Sequence, residues 1–146
     1  MTADQFCTFT LAGQHFGIIV DDVQEVIRHR PGSRVPLAPA AVVGLMNLRG
    51  RIVPVIDLRT RLALPPQPAG AEPFNVVVRT KDGPKALVVD DIGDVLTLDE
   101  GTFEPTPGTV RGPAGELVRG AHKLADRLLL ILDVPKVLTY APAAAG

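Results

Sequence analysis

The side chains best suited to acid–base chemistry in this chain are two adjacent pairs of aspartates, Asp21/Asp22 and Asp90/Asp91. Neighbouring carboxylates can act as acid and base when their environments separate their pKa values. Each pair, however, lies in a similar stretch, IIVDDVQEV and LVVDDIGDV, and the two stretches are 69 positions apart. Residues repeated at equivalent places serve a need that both places share, which predicts turn or cap geometry at a strand end. An enzyme that uses these pairs is the alternative.

The remaining candidates for catalysis or metal binding do not converge. His15, His29 and His122 stand in unrelated contexts, without the spacing of a zinc site. The single cysteine, Cys7, lies in an alternating segment that is typical of a strand, which does not favour a nucleophile. No phosphate-binding glycine motif or serine-nucleophile motif occurs. We therefore predict no catalytic residue, no metal and no cofactor.

A binding chemistry is instead indicated by the turn Asn47-Leu48-Arg49-Gly50. An arginine beside an asparagine on an exposed tight turn presents fixed hydrogen-bond donors, which suit a carboxylate or a peptide backbone. Arginine is also favoured at the centres of protein interfaces. The alternative is a solvated arginine at the tip of a hairpin.

This turn lies in a segment that the chain contains twice. Residues 44–62 (GLMNLRGRIVPVIDLRTRL) match residues 120–138 (GAHKLADRLLLILDVPKVL), each position having its equivalent 76 further on. Residues that are the same in both copies indicate what the shared fold requires. Residues that differ can serve a function that only one copy has. The Asn-x-Arg-Gly turn becomes Lys-x-Ala-Asp at residues 123–126, so the first turn is the candidate functional site.

The elements that position this turn are predicted to be short strands. Residues 6–11 and 15–20 alternate as in a hairpin, and residues 45–48 and 52–56 flank the turn as a second hairpin. Pro54 is expected at an edge or a bulge, because proline has no N–H for the ladder. Further strands are predicted at 74–79, 85–90, 91–98, 117–124 and 128–132.

The connections follow from helix caps and from proline and glycine. Asp57 and Asp133 are predicted to cap short helices, and Pro135 suits a first helical turn. Other expectations are an extended loop over 31–39, a helical turn over 40–43, a linker over 64–73 and a long loop over 102–115. Residues 21–28 fit a strand or a short helix equally well.

Composition supports a mainly β class and excludes some partners. The 146 residues are 46% hydrophobic with no tryptophan, so the core is aliphatic and rich in branched side chains that favour strands. A net charge of −1 gives no positive electrostatic potential that would attract nucleic acid. No apolar run approaches a membrane span and the first residues lack a signal pattern, so we expect a cytoplasmic protein without membrane insertion.

The segment NLRGRIVPVIDLRTRL, preceded by APAAVVGLM, resembles the signature of the CheW family of bacterial chemotaxis coupling proteins. The resemblance extends to FTLAGQHFGIIVDDVQEV, ALVVDDIGDVLTL and RGAHKLADRLLLILDVPKVL, in one order along most of the chain. The same domain ends CheA histidine kinases and begins CheV adaptors. A stand-alone adaptor fits this length, although residues 105–116 follow the family only loosely.

The resemblance implies an all-β fold of two five-stranded, SH3-like barrels with short helices, as the duplication also suggests. A single domain over 1–146 would contain subdomains at about 13–72 and 73–132, with the terminal segments packing back on the barrels. Partner contacts are implied at seven positions: Val23, Glu25, Gly44, Asn47, Leu48, Arg49 and Gly50. Gly44 recurs as Gly120, so a structural need is an equal explanation there.

The implied function is a non-enzymatic adaptor that couples chemoreceptors, the methyl-accepting chemotaxis proteins, to a CheA-type histidine kinase. Its partners would be the regulatory domain of the kinase, the cytoplasmic tip of the receptor and other CheW-like domains, in arrays at the membrane receptors. One alternative is an adaptor of a pilus-based or gliding motility pathway. The other is a small SH3-like module that binds a ligand or nucleic acid.

Overall fold

The structure, a computed structural model, describes residues 3–29, 41–105 and 113–139. Short strands account for most of these residues. The first seven strands are β1 Ala3–Leu11, β2 Gln14–Ile19, β3 Val23–Arg28, β4 Val42–Leu48, β5 Arg51–Asp57, β6 Phe74–Val78 and β7 Lys85–Val89. They are followed by β8 Asp91–Asp99, β9 Phe103–Pro105, β10 Val118–Lys123 and β11 Leu128–Leu132. Three short helices are α1 Leu58–Arg61, α2 Pro113–Leu117 and α3 Val134–Val137.

The strands form two sheets with matching orders. Sheet A has the order β8-β1-β2-β11-β10-β9, and sheet B has the order β3-β6-β7-β5-β4. Apart from β9, each strand of one sheet has its sequence repeat at the same place in the other. The central parallel pairing repeats in register, because Val55 faces Ala86 in sheet B and Ile131 faces Gly17 in sheet A.

Each sheet therefore combines strands from both sequence repeats. The first repeat supplies β1 and β2 to sheet A and β3 to β5 to sheet B, and the second repeat does the reverse with β6 to β11. As a result, the sheets do not divide the chain at 72/73, since β6 and β7 pair with β3 and β5. The assignment of 1–146 to a single domain stays a prediction.

Three clusters of apolar side chains show that the sheets curl into two barrels that share a larger core. One small cluster fills barrel B, the curled sheet B, and includes side chains from both of its edge strands, such as Ile27 and Met46. A second fills barrel A, the curled sheet A, around Phe6 and Leu129. The largest cluster lies between the barrels and takes side chains from both sheets and from α1 and α3. The mainly β class with two small barrels is confirmed.

The two copies are also joined by an arginine at a helix end. Arg61 of α1 donates from Nε to the carbonyl oxygen of Val137 at 2.8 Å and from Nη2 to that of Thr139 at 2.9 Å. These carbonyls belong to the end of α3, where the backbone lacks partners of its own. The cation therefore satisfies them and fixes one copy against the other.

Most predicted elements are present at the predicted places. Both hairpins form, residues 64–73 contain no strand or helix, and Asp57 and Asp133 accept from the amides of Arg59 and Lys136 as predicted caps. The ambiguous segment 21–28 uses both forms, because a 3-10 turn over Val20–Asp22 precedes β3. The predicted loop over 31–39 lies outside the residues that the structure describes.

Three expectations are wrong in part. Residues 40–43 do not form a helical turn where they are described, because Val42 already pairs with Ile56 at the start of β4. The loop over 102–115 contains β9, which pairs with β10, and the first part of α2. Pro54 lies in an internal strand, but the ladder with β7 begins only at Val55, so the missing N–H faces no strand on that side.

Among the described residues, no helix is both long and apolar enough to cross a membrane.

Candidate functional site

An ion pair between Glu25 and Arg49 forms the centre of the predicted turn site. Arg49 Nη2 donates to Glu25 Oε1 at 2.7 Å, and Arg49 Nη1 donates to Glu25 Oε2. Glu25 lies on β3 and Arg49 follows β4, and these are the two edge strands of sheet B. The bidentate pair therefore joins the edges of the curled sheet and holds the guanidinium in one orientation.

The backbone of the turn explains why its residues are placed there. Leu48 pairs with Arg51, so Arg49 and Gly50 are the two residues of a tight hairpin connection. Their φ values are 52° and 84°, as type I′ turns require. Asn47 Oδ1 accepts from the Gly50 amide at 2.8 Å, so Asn47 closes the turn from inside and Gly50 supplies its conformation.

Exposure and charge make this pair a surface feature rather than a buried bridge. The Arg49 side chain is 70% exposed, whereas that of Glu25 is 19% exposed. Hydrogen bonds from Arg49 lower the pKa of Glu25, and the same bonds raise the pKa of Arg49. Both groups are therefore charged throughout the physiological range, with the cation outermost.

The other predicted site residues do not all join this centre. Val23 is half-buried against the shared core, and its carbonyl oxygen accepts from Arg79 Nη1 at 2.7 Å. Leu48 packs against the interior of barrel B. Gly44 is buried in β4 beside a bulge that recurs before Gly120, which supports the structural reading of both glycines. Of the seven predicted residues, Glu25, Asn47, Arg49 and Gly50 are joined by hydrogen bonds at the turn, and their role in binding stays a prediction.

Apolar side chains beside the turn were missed from the sequence. Ile52 pairs with Asn47 across the hairpin and is 63% exposed, and Val26, next to Glu25, is 38% exposed. Ile52 belongs to an unbroken apolar run, in which alternation cannot separate inward from outward positions. An arginine flanked by exposed aliphatic surface is a composition typical of protein-binding sites.

In the Asp90/Asp91 pair, both carboxylates accept hydrogen bonds from neighbouring backbone or side chains. The Asp90 carboxylate accepts from Arg59 Nε at 2.9 Å and from Arg59 Nη2 at 2.6 Å. It also accepts from Gln67 Nε2 at 3.0 Å and from the Ala12 amide at 2.8 Å, which ties the linker to the β1–β2 turn. Asp91 Oδ1 accepts from the amide of Ile92, as a residue at the start of a strand can.

The histidines and the cysteine lie apart. His122 is 3% exposed and borders a cavity of about 310 Å³ at one end of barrel A. Its Nδ1 lies 2.7 Å from Thr102 Oγ1, and burial lowers its pKa, although Asp4 and Asp99 oppose this effect. Burial raises the pKa of the Cys7 thiol. In the described part of the chain, no group of three or more metal-ligating side chains comes together.

Comparison with known proteins agrees with this architecture. The CheW-like domain family matches residues 5–141. The chemotaxis protein CheW of Klebsiella aerogenes is 34% identical over 92% of this chain and 81% of its own length. The CheW of Bacillus subtilis is 31% identical over 94% of this chain and 88% of its own length. The crystal structure of the scaffolding protein TtCheW from Thermoanaerobacter tengcongensis superposes with a TM-score of 0.81 at 28% identity, covering 90% of both chains.

Two curled sheets with interleaved repeats and an exposed, ion-paired turn define a double-barrel β domain. The family match over 5–141 then makes the assignment specific: this chain belongs to the CheW family. It is a chemotaxis scaffold of that family, and the resemblance predicted from the signature segment is confirmed.

Proposed function

We propose that this protein couples chemoreceptors to a CheA-type histidine kinase without catalysing a reaction itself. The observation that supports the proposal most directly is the exposed Arg49 guanidinium, held by Glu25 at the tip of the β4–β5 hairpin. A pre-oriented arginine loses little freedom on binding, so it is suited to anchor an interface. The kinase regulatory domain and the cytoplasmic tip of the receptor are the proposed partners, at receptor arrays.

Exposed apolar residues support contacts with further CheW-like domains as well. Val26 and Val95 are equivalent in the two repeats, and both are exposed, at 38% and 56%. Ile52 and Leu128 form a second equivalent pair, exposed at 63% and 42%. Each barrel thus presents exposed aliphatic side chains at equivalent positions, which a homologous barrel can cover in an array.

The test is direct binding to a purified kinase regulatory domain and to a receptor cytoplasmic hairpin, followed by kinase autophosphorylation in the ternary complex. Arg49→Asn is the informative variant, because Asn-Gly suits a type I′ turn while the ion pair is lost. We expect at least tenfold weaker binding to one partner with an unchanged thermal midpoint. Arg51→Gln, an exposed arginine of the same hairpin, is the matched control and should bind normally.

Two outcomes would contradict the proposal. Wild-type protein that binds neither partner at concentrations on the order of tens of micromolar would exclude the coupling role. Equal binding by Arg49→Asn and wild type would show that the guanidinium is not part of the interface.

A further inference from the structure

The two barrels have equivalent acidic positions that differ in their partners. Glu25 on β3 and Asp94 on β8 occupy the same place in the sequence repeat, 69 positions apart. In both strands a register shift stands at this point, between Val23 and Glu25 on β3 and opposite Cys7 to Phe9 on β8. The two barrels can therefore be compared at this position. In barrel B the acidic side chain binds an arginine.

In barrel B the acid at this position pairs with an arginine of the same chain, whereas in barrel A no residue of the described ranges pairs with it. Arg49 reaches Glu25 from its hairpin, but the equivalent hairpin of barrel A has Ala125 and Asp126 at that place. Neither residue has the positive φ that Arg49 and Gly50 adopt. Asp94 is exposed, and its carboxylate makes no hydrogen bond or ion pair with any residue of the described ranges.

Asp94 lines a groove of about 250 Å³. Thr8 Oγ1 donates to the Asp94 carbonyl oxygen at 2.6 Å, which fixes this part of β8 on β1. A Cβ at Gly93 would lie 2.5 Å from Thr8 Oγ1, so glycine permits the close approach. Asp91 adds a second carboxylate to the lining.

Among the described residues, Arg127 is the only arginine or lysine that lines the same groove, and His15 lines it as well. Arg127 borders it, but its Nε lies 3.8 Å from Asp126 Oδ1, a contact on the hairpin itself. Ile92 and Leu96 line the same groove and add aliphatic surface to it, against which the stem of a long cationic side chain can pack. Two carboxylates beside aliphatic surface suit a guanidinium with three methylenes better than a compact ammonium.

We infer that Asp94 is a docking point for an arginine side chain presented by a protein partner, which completes in trans the ion pair that Arg49 completes in barrel B. The inference deepens the proposed coupling function, since it assigns a contact of defined chemistry to the second barrel. It gives the two barrels different roles, because barrel B offers a cation and barrel A accepts one.

The first experiment needs no natural partner. The ¹⁵N-labelled full-length chain is titrated with a cyclic Asn-Leu-Arg-Gly hairpin peptide and, as control, with the same peptide carrying citrulline, a neutral isostere of arginine. We expect saturable shifts of the amides around Gly93, Asp94 and Thr8 that disappear with citrulline. Asp94→Asn should weaken binding at least tenfold, whereas Asp94→Glu should retain it. Asp22→Asn, in the other repeat, should change nothing.

The outcomes separate this inference from the proposed function. Absence of saturable shifts, or shifts that persist in Asp94→Asn, would overturn the docking point. So would normal binding of both proposed partners by Asp94→Asn. If Arg127→Gln strengthens binding of the peptide, Arg127 competes in cis, and the acidic site is supported. Wild-type protein that binds the peptide but neither partner would remove the coupling proposal and leave the arginine site in place.

Discussion

Protonating or removing the Asp90 carboxylate should destabilise the protein by an amount that the structure allows us to work out. The Asp90 side chain is 23% exposed and that of Arg59 is 9% exposed. Burial raises the pKa of Asp90, but hydrogen bonds from Arg59, Gln67 and Ala12 outweigh it and lower the pKa from 3.8 to about 2. This difference corresponds to about 2 kcal/mol of stability at neutral pH.

The pH dependence has a defined sign. A carboxyl group whose pKa is depressed by folding stabilises the native state above its unfolded pKa of 3.8. That contribution is lost as the pH falls towards about 2, and roughly 1 kcal/mol of it should be gone near pH 3. Asp90→Asn should cost at least about 2 kcal/mol at neutral pH, because it also leaves the buried Arg59 cation unpaired.

Urea unfolding of wild type and Asp90→Asn between about pH 7 and pH 3 measures both quantities. The difference in unfolding free energy should shrink by about 1 kcal/mol over this range. Asp91→Asn, at the adjacent exposed carboxylate, should stay within about 0.5 kcal/mol of wild type at every pH. A difference between wild type and Asp90→Asn that is independent of pH would refute the reasoning, and so would equal effects at the two aspartates.

Three further predictions concern single side chains. Gly120→Ala should displace β9, because a Cβ there would overlap the Glu104 carbonyl oxygen and the Phe103 ring, and proteolysis near β9 should increase. Wild type should lose thermal stability as the pH falls below 6.5, because burial lowers the pKa of His122 and the unfolded chain therefore takes up the proton first. His122→Phe should remove this loss. Asp57→Ala should cost about 1 kcal/mol in urea unfolding through the lost cap of α1.

Each of these has a matched comparison. Gly13→Ala, at a φ of 81° with open space around its Cβ, should cost only backbone strain of about 1–2 kcal/mol and leave β9 in place. His15→Phe should keep the acid sensitivity of wild type, and parallel profiles for wild type and His122→Phe would contradict the role of His122. An unchanged unfolding midpoint for Asp57→Ala would show that α1 is held by its packing alone.

The local elements of this fold could be predicted from the sequence because short-range chemistry determines them. Asp57 and Asp133 cap helices at the predicted residues, and the Asn47 to Gly50 turn forms where glycine supplies a positive φ. Alternation also identified the first hairpin. Each of these depends on residues within a few positions of one another.

The features that the sequence did not reveal depend on long-range pairing. The repeat identifies equivalent strands, but it cannot tell whether a strand pairs within its own copy or with the other. For the same reason the sequence does not predict the ion pair between Glu25 and Arg49. These residues are 24 positions apart and meet only because sheet B curls. The exposure of Ile52 was not predicted, because an unbroken apolar run does not show which side chains face the core and which face solvent. Residues 30–40 and 106–112 lie outside the described structure.

The interleaving of the repeats has a consequence for how such a chain could have arisen and how it can be taken apart. The first repeat supplies a hairpin to one barrel and three strands to the other, and the second repeat supplies a hairpin and four strands, so neither repeat contains a whole barrel. A gene for a single repeat would encode a protein that folds only as a strand-exchanged dimer, and fusion through residues 64–73 would make that dimer one molecule. Residues 1–68 and 69–146, produced as separate chains, should therefore be unfolded alone and fold as a one-to-one complex when mixed.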